Sequence, residues 1–263
     1  MSRLDLALWV ALPYAAIAVF VVGHVWRYTR DQLTWTTRST QLLERRLLRP
    51  GVLLFHLGML AVLGGHVLGI LVPASATEAV GISEDLYHAV SVTAGTIAGT
   101  MMLAGFAILL YRRERVPRVR ATTTRIDRIT YLLLGAMIVL GMVATVGENL
   151  LGGGYDYRST VAPWFRGVLT LSPDPDLVTQ APVVYQVHAA LAWLLFALWP
   201  FSRLVHAWSV PIAYIGRSPI LYRARTRAAA APEPAPWGRP ARHAAPAPRH
   251  PVTPSREKPH AAT

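Results

Sequence analysis

From its first residues the chain alternates between long apolar runs and short stretches dense in arginine. Five runs approach or exceed the roughly 20 residues that a helix needs to cross a bilayer. They cover about 4–26, 51–73, 86–111, 129–151 and 183–208. The pattern predicts an all-α integral membrane bundle of five transmembrane helices over residues 1–225. The first run is too long for a signal peptide, and no small-residue cleavage site leads into a soluble domain. Between 152 and 182 the stretch GGGYDYRSTVAPWFRGVLTLSPDPDLVTQAP is long for a simple turn. Its Trp-Phe pair predicts a short interfacial helix lying on the membrane surface. Proline and alanine dominate from about residue 226, so 226–263 reads as a disordered, Pro/Ala-rich basic tail.

The arginines give the bundle a direction. Arg27, Arg30, Arg38, Arg45, Arg46 and Arg49 lie between the first and second runs, and Arg112, Arg113, Arg115, Arg118, Arg120, Arg125 and Arg128 between the third and fourth. The loop PASATEAVGISED has no Lys or Arg, and the long loop after the fourth run has only Arg158 and Arg166. The positive-inside rule then puts the N-terminus outside and the C-terminus in the cytoplasm. Composition agrees with a membrane class: 53% of the 263 residues are hydrophobic and 15% charged, against about 25% charged in soluble domains. The formal net charge of +12 is concentrated in loops and tail, with no basic, aromatic-interleaved face for nucleic acid. The chain has no cysteine. Structural disulfides, Cys-ligated zinc, iron–sulfur clusters and covalently attached haem are therefore excluded.

Histidine carries the candidate chemistry. His243, His250 and His260 fall in the tail, and His24 at the inner end of the first helix reads as an interface anchor. His56 and His66 lie on the second predicted helix, His188 and His206 on the fifth. These two helices run antiparallel, so His56 shares a depth with His206, and His66 with His188. Two histidines per site, donated by facing helices, is what axial ligation of haem iron requires. Gly64, Gly65 and Gly69 clear side chains from beside His66. The axial spacing fits less well: about 15 Å of rise separates the first pair along its helix and about 27 Å the second. Tilt or inclined cofactor planes must absorb the difference. The alternative is that the four histidines are hydrogen-bonding core residues, although ionisable groups inside membrane helices lean toward function. Met59, Met101, Met102, Met137 and Met142 read as core packing.

Several stretches are specific. RYTRDQLTW (27–35), FHLGML followed by GGH (55–66), PRVRATTT (117–124) and PFSRLVHAWSVP (200–211) resemble the membrane-anchoring gamma subunit of respiratory nitrate reductase, a dihaem cytochrome b. The resemblance spans about 4–225. It implies two b haems, with His66 and His188 as axial iron ligands near the outer face and His56 and His206 near the cytoplasm. It further implies a bacterial cell-membrane protein that oxidises quinol, menaquinol in our reading, at the outer face. Electrons then pass to an iron–sulfur beta subunit and a molybdenum-cofactor alpha subunit that reduces nitrate. Where that family has a lysine beside the quinol, this chain reads SEDLYHAVSV, which offers His88, with Tyr87 nearby, to bond the quinol oxygen or take its proton. Gly65 and His66 complete the expected quinol pocket. Arg203, three residues before His206, is a candidate partner for a haem propionate. PRVRATTT is either a docking loop for the partner subunits or a helix cap using Thr122–Thr124. Two other readings stay open: a cytochrome b anchor of a selenate or chlorate reductase, and a haem-free membrane scaffold or permease.

Overall fold

The computed structural model describes residues 2–209. The domain boundary expected at 225 and the tail expected from 226 lie outside the described residues. Five helices are long and apolar enough to cross a membrane: α1 (Arg3–Arg30), α2 (Leu48–Leu71), α3 (Glu84–Arg115), α4 (Arg125–Leu151) and α5 (Val183–Phe201). No strand occurs among the described residues.

Capping sets several of these ends. Ser83 accepts a bond from the Leu86 amide at the start of α3, and Glu84 and Asp85 fill its first turn, where acidic groups favour the positive end of the helix dipole. Arg112, Arg113 and Arg115 fill its last turn, the complementary arrangement. At the start of α4, Thr124 and Asp127 form a reciprocal capping box, so PRVRATTT does end in a cap. The first four residues of that stretch, Pro117–Arg120, form a helical turn of their own. α4 runs out into Gly153 and Gly154, whose φ angles of 89° and 92° only glycine adopts at little cost.

α5 departs from the expected unbroken run to 208. Its regular α-helix ends at Leu198 and tightens into a 3-10 turn over Trp199–Phe201. Ser202 is extended (φ −108°, ψ −177°), and a separate 3-10 segment, Arg203–Ser209, follows. The cause is Pro200, which has no N–H to continue the helix ladder. His206 is therefore not on α5 at all, and a single axial rise no longer relates it to His188.

The helices pack in the order α2–α3–α4–α5–α1. The α2–α3 contact is the most extensive and depends on small residues. A Cβ on Gly58 would stand 2.5 Å from the Met102 amide nitrogen, and one on Gly105 would collide with the Phe55 backbone. Missing side chains here let the two backbones touch, the usual basis of close helix packing in a membrane. Met102, Phe106 and Ile138, backed by Phe55 and Met59, join α3 to α4. α5 packs on α1 and α4, but α2 and α5 make no comparable contact among the described residues. The bundle is thus an arc that begins at α2 and ends at α1, and α2 and α5, the helices that lead to the histidines, are not packed neighbours in it.

A second apolar cluster closes the arginine-poor end around Trp9, Trp164, Val168, Val178 and Trp193. The helix expected on the membrane surface is Val161–Leu169, and it is folded into the protein. Trp164 is only 1% exposed, packs edge-on against Trp9 and donates its indole N–H to the Trp9 carbonyl. An interfacial anchor would expose that ring; burying it in the core gained more apolar contact.

Overpacking the α2–α3 seam should destabilise the bundle. Gly105→Val is expected to cost at least about 1–3 kcal/mol, read as a lower thermal midpoint of the detergent-solubilised protein. Gly147→Ala, which would meet only the Val143 side chain at 3.6 Å, should leave the midpoint unchanged or slightly higher.

Candidate functional site

The four histidines assemble as two pairs, each joining α2 to the α5 side of the arc. His56 and His206 have ring centres 6.2 Å apart with planes at 69°. His66 and His188 are also 6.2 Å apart, with planes at 19°. Three of the rings are held the same way. Nδ1 of His56 lies 2.9 Å from the Val52 carbonyl, Nδ1 of His66 2.8 Å from the Val62 carbonyl, and Nδ1 of His206 2.6 Å from the Arg203 carbonyl. A carbonyl only accepts, so Nδ1 carries the proton in all three and the Nε2 lone pair is left for another partner. Metal-binding histidines are oriented in this manner.

The spacing fits a single iron between each pair. An imidazole nitrogen bonds a first-row metal ion at about 2 Å, and two such bonds plus two ring radii separate the ring centres by about 6 Å. Axial haem ligation uses two residues, so the lack of any cluster of three His, Cys, Asp or Glu among the described residues does not bear on it. Room for a flat ring is visible on α2, where a Cβ on Gly64 or Gly65 would meet nothing within 4 Å. Gly69 differs: its Cβ would strike the hydroxyls of Tyr157 and Tyr87, so it serves packing and not a cofactor face. Gly141 on α4, which sequence reasoning missed, makes room for His188, whose Cε1 would lie 3.3 Å from a Cβ there. Nδ1 of His188 is buried with no hydrogen-bond partner. His24 is already engaged at both nitrogens, by the Phe20 carbonyl and by the Trp208 indole N–H, in keeping with an anchor.

At the arginine-rich end, arginines expected to serve topology alone are buried and bonded. Arg112, 2% exposed, bonds the Glu44 carboxylate at 2.5 Å, the Thr40 hydroxyl and the carbonyls of Thr40 and Glu44. Burial pushes the Glu44 carboxyl up, but bonds from the Leu47 amide and Arg112 outweigh it and hold the group below the usual carboxylate range. Arg27 reaches from α1 to the carbonyls of Pro200, Ser202 and Thr34, and Gly23 lets Pro200 sit against α1. Arg113 lies over the Tyr131 ring. Arg203, expected to meet a propionate, instead grips Asp127: Nε is 2.6 Å from Oδ1 and Nη2 2.9 Å from Oδ2. Its remaining N–H groups bond the carbonyls of Thr37, Arg38 and Thr122, so all five donors are used. The one signal in the sequence was an aspartate in the first turn of a membrane helix.

At the opposite end α2 leaves His66 through a π-helical segment, Val67–Leu71, a distortion often found beside functional residues. Arg158 fastens the ends of α2 and α3 together. It pairs with Glu84 at 2.8 Å, bonds the Thr77 hydroxyl and lies 3.9 Å above the Tyr87 ring. Tyr87 in turn meets Tyr157 hydroxyl to hydroxyl at 3.3 Å; burial and this contact push the Tyr157 phenol well above its ordinary range, so it stays protonated. His88 has a buried Nε2 with no hydrogen-bond partner. That atom sits against Gly154 of the loop after α4, 3.1 Å from where a Cβ would be. Gly65, expected beside it, has open space instead of a neighbour.

Comparison with known proteins gives this arrangement a family. The sequence profile described as "Nitrate reductase gamma subunit" matches residues 5–225. The chain is 43% identical over 219 residues to the nitrate reductase gamma chain of Bacillus subtilis, covering 83% of this chain and 98% of that one. It is 34% identical over 226 residues to the respiratory nitrate reductase 1 gamma chain of Escherichia coli, covering 86% and 100%. Against the nitrate reductase-like protein NarX of Mycobacterium tuberculosis it is 48% identical over 218 residues, 82% of this chain and 33% of NarX; the chain thus spans about a third of that relative's length. On the profile match and on relatives aligned over nearly their whole length, the chain belongs to the nitrate reductase gamma subunit family.

Proposed function

We propose that this multi-pass protein of the bacterial cytoplasmic membrane is the cytochrome b subunit of a respiratory nitrate reductase. In this reading it binds two b haems and oxidises quinol, menaquinol by preference, at the arginine-poor end. It delivers the electrons to an iron–sulfur beta subunit and a molybdenum-cofactor alpha subunit that reduces nitrate. The observation that carries the reading is the two histidine pairs spanning α2 and the α5 side of the arc, three of the four rings with Nε2 left free by an Nδ1 bond.

Bound haem supplies reversible one-electron chemistry at its iron. The chain's own residues do the rest. His56 with His206, and His66 with His188, would hold the haem irons, and the i−4 or i−3 carbonyls set the tilt of the His56, His66 and His206 rings. His88 Nε2 is the atom placed to take a proton from a quinol hydroxyl, as the only imidazole among the described residues with a buried, unbonded Nε2. The arginine-rich end faces the cytoplasm and the partner subunits, as the positive-inside rule requires, so quinol protons are released outside while electrons move inward.

The purified complex should contain two b haems per copy of this chain, both reducible by menaquinol; a colourless chain would refute the reading in favour of a haem-free scaffold or permease. His66→Ala and His188→Ala should each remove one haem and abolish quinol oxidation. His56→Ala and His206→Ala should each remove the other haem while quinol binding persists. Pyridine haemochrome content and a quinol-reduced spectrum distinguish the four. His88→Ala should keep both haems and lower quinol-driven reduction by about 100-fold or more, the usual weight of a general base. Unchanged reduction would remove His88 from the quinol site.

A further inference from the structure

We propose that Asp127 is a positioning residue for His206, acting through Arg203 to fix how that histidine presents Nε2. The proposal rests on the haem reading above and adds to it a residue on a third helix, α4.

Asp127 is 1% exposed. One of its oxygens takes the Arg203 Nε–H at 2.6 Å; the other takes an Nη2–H at 2.9 Å and the Thr124 amide at 2.9 Å. A forked guanidinium–carboxylate pair of this kind admits one orientation of both side chains. Arg203 Nη1 and the second Nη2–H are tied to the carbonyls of Thr37, Arg38 and Thr122. Arg38 itself holds a left-handed backbone with φ 47°, a conformation that persists only where its surroundings enforce it. Arg203 is therefore fixed by two loops and one helix start. Its own carbonyl is the group 2.6 Å from His206 Nδ1, so whatever holds the Arg203 side chain also holds the acceptor that sets the His206 ring.

The other three histidines lack this dependence. His56 and His66 bond carbonyls four residues back inside the continuous helix α2, and His188 lies within α5. His206 follows the break at Ser202 in a short 3-10 segment, Arg203–Ser209, whose ladder is not continuous with α5. The Asp127–Arg203 fork ties the first residue of this short segment to α4, a hold that the long helices α2 and α5 give the other three histidines. A well-fixed Nδ1–H···O=C bond raises the basicity of the liganding nitrogen and so favours the oxidised iron.

The test is an optical redox titration of the two b haems in membranes carrying the whole complex, with low-spin spectra recorded alongside. Asp127→Asn places an amide donor against donors of Arg203 and loosens the fork. The midpoint potential of the haem that His206→Ala removes should rise by a tenfold change in its redox equilibrium, about 59 mV for one electron, while the other haem keeps its potential. Arg203→Lys, which keeps the charge but not the fork, should move the same haem in the same direction. Asp127→Glu should restore most of the shift. Should Asp127→Asn fail to accumulate in the membrane, Arg203→Lys decides by the same criterion. Unchanged potentials in the variants, or equal shifts or losses at both haems, would overturn the proposal while leaving the haem reading intact. A parental complex without haem would refute that reading instead.

Discussion

A polar group left without a partner in hydrocarbon costs several kcal/mol, and the interior of this bundle is organised by that constraint. Each helix that ends near the arginine-rich face brings an unsatisfied carbonyl or a charged side chain with it. The structure meets these with buried arginines. Arg27 takes the carbonyls that Pro200 and Ser202 release when α5 breaks, Arg112 closes the loop around Thr40 and Glu44, and Arg203 joins three segments to Asp127. The histidines obey the same rule through backbone carbonyls. A ring that has satisfied Nδ1 in this way holds Nε2 in a fixed direction, so the need to bond one nitrogen determines what the other can do.

Much of this was legible in the sequence, because membrane helices announce themselves by length and hydropathy. The five spans, the Thr124 cap and the pairing of His56 with His206 and His66 with His188 follow from apolar runs, capping chemistry and antiparallel order. The misreadings share a cause. A proline near the end of an apolar run was not enough to show that the chain would break at Ser202, since prolines in membrane helices are often absorbed as kinks. Trp164 and Phe165 carry the composition of an interfacial anchor, and only the presence of Trp9 and Trp193 as packing partners shows why they turn inward. Long-range partners of this kind leave no trace in local pattern.

The loop arginines show how one residue type can carry two messages. Their number and placement suffice for the positive-inside rule, and a reading that stops there treats them as solvated. Arg27, Arg112, Arg113 and Arg203 are in fact buried or half-buried, because arginine can use up to five donors on carbonyls and carboxylates without losing its charge. Those that signal orientation also build the face they orient. The same double use appears at the other end, where Arg158 combines an ion pair with Glu84 and a stacking contact with Tyr87.

The break at Ser202 separates the fates of the two histidine pairs. His188 moves with α5, so any rotation or sliding of that helix in a thinner or thicker bilayer carries it along. The segment that carries His206 is instead tied through Arg203 to α4 and to the loop over 37–38, holds that α5 does not share. A mutation or a change in lipid that retunes one pair can therefore leave the other untouched, and the two positions are free to drift apart in their properties over evolutionary time while the fold stays the same.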